Sequence, residues 1–159
     1  MPFAPFYQLC PDVAQQETRT ITVMENAELG LPAGDYSFIE MFCNEPNCDC
    51  RRVFLNVYST TTKKTEALIT CGWENLAYYT RWIGLNDPEL AKEMQGPNLD
   101  LSSPKSDTAK TLLRLATSLL LTDPGYVERI KRHYQLFRSK VDGPSKKDRK
   151  WSRPKWRRK

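Results

Sequence analysis

"DYSFIEMFCNEPNCDCRRVFLNVYST", residues 35 to 60, consists of two β-type runs joined by a turn that holds three of the chain's five cysteines within eight positions. The flanking runs, DYSFIEMFC (35 to 43) and RRVFLNVYST (51 to 60), are rich in aromatic and β-branched residues, whereas Asn44, Pro46 and Asn47 between them are turn formers. Strands this close in sequence pair only as antiparallel hairpins, because parallel neighbours need a crossover of about a dozen residues.

TRTITVME (18 to 25) precedes this hairpin across the Leu31-Pro32-Ala33-Gly34 step, and TEALITCGW (65 to 73) follows it across Thr61, Thr62, Lys63 and Lys64. A meander of about four strands is expected. ENLAYYTRWIG (74 to 84) then spaces its apolar residues at helical intervals and closes on Gly84, a natural helix terminator. Asp87-Pro88 and Asp123-Pro124 each offer a capping oxygen followed by a proline at the first helical position, where no N–H is missed. Ser103-Pro104 or Ser106 opens a helix to about residue 122, and the last helix, from Pro124 to about Val141, carries Val127, Ile130, Tyr134, Phe137 and Val141 on one stripe. The last two helices are expected to form an antiparallel pair over the sheet. The fold class is therefore α+β: an antiparallel sheet of about four strands with a metal site at one edge, covered by three to four C-terminal helices.

The 159 residues are 40% hydrophobic and 27% charged, a globular composition that needs no disulfides to hold it. The net charge of +5 is unevenly placed. Residues 142 to 159 hold nine Lys or Arg against Asp142 and Asp148, a net +7, which leaves residues 1 to 141 with 15 basic and 17 acidic groups. The division expected is a near-neutral domain over residues 1 to 141 and a basic, disordered or partner-ordered tail over 142 to 159. No signal-peptide pattern opens the chain, and LLRLATSLLL (112 to 121) is interrupted by Arg114 and about half as long as a bilayer requires. A cytoplasmic location without membrane contact is expected. In a reducing compartment clustered cysteines serve as metal ligands or reactive thiols rather than as structural disulfides.

Cys43 ends one strand, Cys48 and Cys50 lie in the turn, and Cys71 ends the strand after the next. In an antiparallel meander these strand ends share one sheet edge, so Cys43, Cys48, Cys50 and Cys71 are expected to form a structural four-cysteine zinc site. Arg51 and Arg52 would offset the thiolate charge, with Arg81 and Lys64 as further cations. Unligated buried thiols, a redox pair in Cys48-Asp49-Cys50, a metalloenzyme centre and an iron–sulfur cluster are the alternatives. For the cluster, the Cys-x4-Cys-x-Cys spacing falls one residue short of the plant-type ferredoxin run. Cys10, isolated beside Pro11, reads as a small core residue.

Catalytic motifs are not found. The zinc-deaminase signature fails for want of its histidine and its Cys-x-x-Cys pair, and neither a phosphate-binding glycine loop nor a nucleophile elbow occurs. The single histidine, His133 in IKRHYQLF, is expected beside the apolar stripe of the last helix, as a boundary residue hydrogen-bonded to a neighbour rather than a base or ligand.

GDYSFIEMFCNEPNCDCRRVFLNV, CGWENLAYYTRW and DPGYVERIKRHYQLF together resemble a family of small uncharacterised bacterial proteins. These share a C-x4-C-D-C-R-R core, a C-G-W or Y-G-W segment and a terminal R-H-Y-x-x-F helix. The resemblance spans most of residues 34 to 138 and implies a metal-binding module of unassigned role, with no catalytic residue. Some relatives carry an appended SEC-C type zinc-binding tail, a feature that does not carry over because no cysteine follows Cys71.

In the basic tail, Lys146, Lys147, Arg149, Lys150, Arg153, Lys155, Arg157, Arg158 and Lys159 surround Trp151 and Trp156. Cations interleaved with aromatic rings neutralise phosphates and stack on exposed bases, so nucleic acid is a candidate partner, with an acidic protein as the alternative. The expected function is thus that of a small zinc-binding interaction module.

Overall fold

The computed structural model describes residues 2–143, which run β1 (Phe3–Pro5), α1 (Phe6–Leu9), α2 (Pro11–Glu17), β2 (Arg19–Val23), β3 (Gly34–Cys43), β4 (Arg52–Ser59), β5 (Lys64–Gly72), α3 (Leu76–Ile83), α4 (Pro88–Gln95), β6 (Asn98–Leu99), α5 (Asp107–Leu119) and α6 (Pro124–Asp142). The strands form one antiparallel sheet in the order β1-β3-β4-β5-β6, with β2 also paired to β3. The expected meander is its centre. Phe54 faces Met41 on one side and Thr70 on the other, and Cys71 faces Val53.

The sheet has six strands rather than about four. The additional β1 and β6 are three and two residues long, too short to carry an alternating pattern, and Pro5 is tolerated in β1 because that strand lies at an edge. β1 and β2 occupy successive stretches of the same side of β3, Phe3 opposite Cys43 and Ile21 opposite Tyr36. The N-terminal segment therefore wraps the hairpin edge.

Alternation along the strands divides the sheet into two faces. Phe38, Phe42, Val53, Leu55, Val57, Ala67 and Ile69 point to the main core, where they meet Phe6, Ala14, Leu112, Ala116, Ile130 and Phe137 from the helices. The last two helices both cover this face, but not primarily as a pair: α5 lies along β5 and β6, and α6 lies against β3 and α1. The expected starts are present, Ser106 accepting from the Ala109 N–H at 3.0 Å, Asp123 from Gly125 at 2.9 Å and Asp87 from Leu90 at 3.1 Å. Gly84 ends α3 at φ 70, the left-handed conformation its sequence position suggested.

On the opposite face Phe3 stacks on Phe54 with centroids 3.9 Å apart. Here α3 and α4 enclose a small second core of Tyr79, Ala91 and Met94. Two glycines allow this approach: a Cβ on Gly72 would stand 2.0 Å from the Tyr79 hydroxyl, and one on Gly96, at φ 61, would stand 2.5 Å from the Thr70 carbonyl. Among the described residues no helix is long and apolar enough to cross a membrane.

Candidate metal centre

The β3–β4 turn folds back tightly. The Cys48 N–H bonds the Glu45 carbonyl at 3.2 Å, and Asn47 and Arg51 take positive φ, 61 and 49. Asn47 is among the residue types that tolerate this conformation. The result brings the Sγ atoms of Cys43, Cys48 and Cys50 within 4.8 Å of one another. Cys43 and Cys50 are buried and Cys48 is half-buried; none is in a disulfide. The backbone amides of Glu45 and Arg52 act to lower the Cys43 and Cys50 pKa values, against the burial that raises them. Amide donors of this kind hold and stabilise thiolates on a metal.

Cys71 does not join this group. Cross-strand partners share a face, so Cys71 points with its partner Val53 toward the helix-covered core, and it packs against that core among Trp73, Leu121, Val127 and Ile130. Cys43 belongs to the other face, in phase with Met41 and Phe54, and opens with Cys48 and Cys50 on a cleft there. Convergence at one edge is a condition on strand ends; coordination is also a condition on parity, and a one-residue offset along β5 reverses the thiol. Cys10 is buried in the main core.

Burial raises the thiol pKa values: Cys43 moves up, Cys50 is pushed up to about 12 and Cys71 to about 11. The cations nearby are distributed differently from the sequence expectation. Arg51 is engaged by Asp49 at 2.9 Å and Glu74 at 3.1 Å and lies 4.7 Å from the Tyr78 ring centroid, while Lys64 starts β5 opposite Ser59, at the far end from Cys71. Arg52 alone of that set is buried beside the cysteines, its Nε donating to the Met94 carbonyl at 3.0 Å.

Two features of α6 support the turn, and neither was identified from sequence. Arg138 donates to the Cys43 carbonyl at 2.6 Å and the Glu45 carbonyl at 2.8 Å while pairing with Asp142, which accepts from the Asn47 N–H at 2.7 Å. Tyr134 places its hydroxyl 3.3 Å from the Asp49 carboxylate and 3.4 Å from the Arg51 N–H. Arg138 and Asp142 are four residues apart, a helical pair legible in principle, but their carbonyl and amide partners are some ninety positions distant in the chain.

His133 is hydrogen-bonded as expected, but it is buried rather than at a boundary. It is 1% exposed, stacked on Phe6 at 4.4 Å, with Nδ1 2.5 Å from Glu40 and Nε2 3.0 Å from Glu17, which also pairs with Arg132. Burial alone would lower the imidazole pKa, but the two carboxylates outweigh it and the value is raised. The Arg132 hydrogen bond, followed by that of His133, holds the Glu17 carboxyl down to about 2. The cluster ties the end of α2 and β3 to α6 on the core side, the sheet face opposite Cys43. The tail cations and Trp151 and Trp156 lie outside the described residues.

Compared with known proteins, the chain matches no family model, no curated protein and no solved structure.

Proposed function

We propose that the protein binds one zinc ion through Cys43, Cys48 and Cys50. The observation that carries this reading is the mutual approach of three sulfurs within 4.8 Å on a turn braced by α6. Thiolates at about 2.3 Å from a tetrahedral ion lie about 3.8 Å apart, a spacing that small side-chain movements reach from there. Soft sulfur donors favour zinc over magnesium or calcium, and an iron–sulfur cluster would need a fourth thiolate that Cys71 does not bring. A redox pair needs two thiols and gives no role to the third.

With Cys71 on the other face, the fourth coordination position is left to a group outside the cysteine set, and the ion would brace the β3–β4 turn where Cys71 cannot. Elemental analysis of the full chain, purified without chelators from zinc-supplemented cells, is the test. About one zinc per chain is expected; a metal-free protein that also fails to take up zinc at micromolar concentration would sink the reading.

For the basic tail, we propose a nucleic-acid contact, supported by the interleaving of nine cations with Trp151 and Trp156. Single-stranded RNA or DNA should bind the full chain with strong salt dependence and lose affinity on removal of residues 144–159, which keeps Asp142 and its contacts in place. Equal binding by the truncated chain would remove this contact from the function.

A further inference from the structure

Cys43, Cys48 and Cys50 line one end of a cleft of ≈ 460 Å³ between the outer sheet face and α4. This is the size of a small-molecule site, and its wall is largely apolar, with Phe3, Phe54, Leu90, Met94 and Leu99. Arg52 also lines the cleft and is 6% exposed. Among the described residues its Nε is the one nitrogen with a hydrogen-bond partner, the guanidinium lies 5.6 Å from the Phe54 ring centroid, and no carboxylate lies within ion-pairing distance. Asp100, on the same cleft wall, accepts from the Ser102 N–H instead. The terminal nitrogens of Arg52 are not sealed from solvent, so an acceptor entering the cleft can reach them. Its two terminal nitrogens form the planar fork that fits a carboxylate. Glu45, Glu93 and Asp100 also line the cleft, so a carboxylate is favoured there only where Arg52 and the ion offset its charge, and a second negative charge is repelled.

We propose that the fourth ligand of the metal is the carboxylate of a small organic monoacid with an apolar body, bound in this cleft with its head between the ion and Arg52. This rests on the three-cysteine metal reading. The acid's body replaces water over Phe3, Phe54 and Met94, and the guanidinium orients its head, so that selection is for one negative charge at one end of an apolar molecule.

Cobalt(II)-loaded full-length protein separates the two readings. A thiolate-to-cobalt charge-transfer band, lost in the Cys48→Ser variant, reports the metal centre, and the ligand-field bands report its fourth position. Octanoate should shift the ligand-field bands saturably with a Kd below about 1 mM, while octanol and octyl phosphate should bind at least about tenfold more weakly. Arg52→Gln should keep the charge-transfer band and weaken octanoate by about tenfold or more. A charge-transfer band with no response to octanoate overturns the proposal and leaves the metal site standing; absence of that band removes both. Octanol matching octanoate on the wild-type chain also overturns it, a comparison that needs no folded Arg52 variant.

Discussion

Arg138, on the last helix, donates to the carbonyl of Cys43 at 2.6 Å, across 95 positions of sequence. The same guanidinium reaches the Glu45 carbonyl and Asp142, so one buried side chain holds the start of the cysteine turn against α6. Replacing it by leucine leaves these acceptors without their donor. Arg138→Leu is expected to lose about 2–3 kcal/mol of stability in urea unfolding and to weaken zinc binding by about tenfold. Unchanged zinc affinity in a folded variant would show that the turn forms its site without the helix.

The cysteines should divide three to one. Serine at Cys43, Cys48 or Cys50 is expected to abolish stoichiometric zinc, whereas Cys71→Ser should retain about one zinc and lose about 1–2 kcal/mol from a hydroxyl placed against apolar neighbours. Loss of zinc in Cys71→Ser at full folding would restore the fourth thiolate.

Zinc binding should be steeply pH-dependent, because burial raises Cys43 and pushes Cys50 up to about 12, so the metal must displace protons that the free thiols hold at neutral pH. Titration with zinc at pH 7 in weak buffer should release about three protons per ion, and the apparent affinity should rise as the pH is raised. Release of fewer than two protons would count against a three-thiolate centre.

His133 and Glu17 set opposite limits on stability. The raised folded pKa of His133 makes its contribution full below the ordinary value of 6.5 and lost as the pH rises through the folded value. Glu17, depressed from 4.5 to about 2, contributes above 4.5 and is lost as the pH falls toward 2. Urea unfolding from pH 3 to 9 should therefore place the maximum of this pair's contribution between pH 4.5 and 6.5, and His133→Gln should flatten the alkaline decline. An identical decline in that variant would assign it to other groups.

Gly72 is tested by a single methyl. Its Cβ would lie 2.0 Å from the Tyr79 hydroxyl, which donates to the Arg51 carbonyl at 2.9 Å. Gly72→Ala should lose about 1–3 kcal/mol by displacing α3, visible as exposure of Tyr79 in near-ultraviolet circular dichroism. A variant as stable as wild type would mean that α3 is held loosely.

The central strands and the helix starts are legible in the sequence because their causes are local. Alternation along 35–43 and 51–60 sets their pairing, and Ser106, Asp87 and Asp123 bond amides within three residues. β1 and β6 are not legible, since two or three residues hold no period and each is a strand only because a neighbour supplies its partners.

By itself the sequence determined that four antiparallel strands are followed by helices and that three thiols crowd one turn, because hydrophobic period and residue spacing are properties of adjacent residues. Only the tertiary structure decided which face each thiol takes, that Cys71 turns to the core with Val53, that His133 is enclosed by Glu17 and Glu40, and that Arg52 has no acid partner in the cleft among the described residues. Those outcomes depend on strand parity and on packing between segments distant in the chain, where one residue of register exchanges the two faces of the sheet.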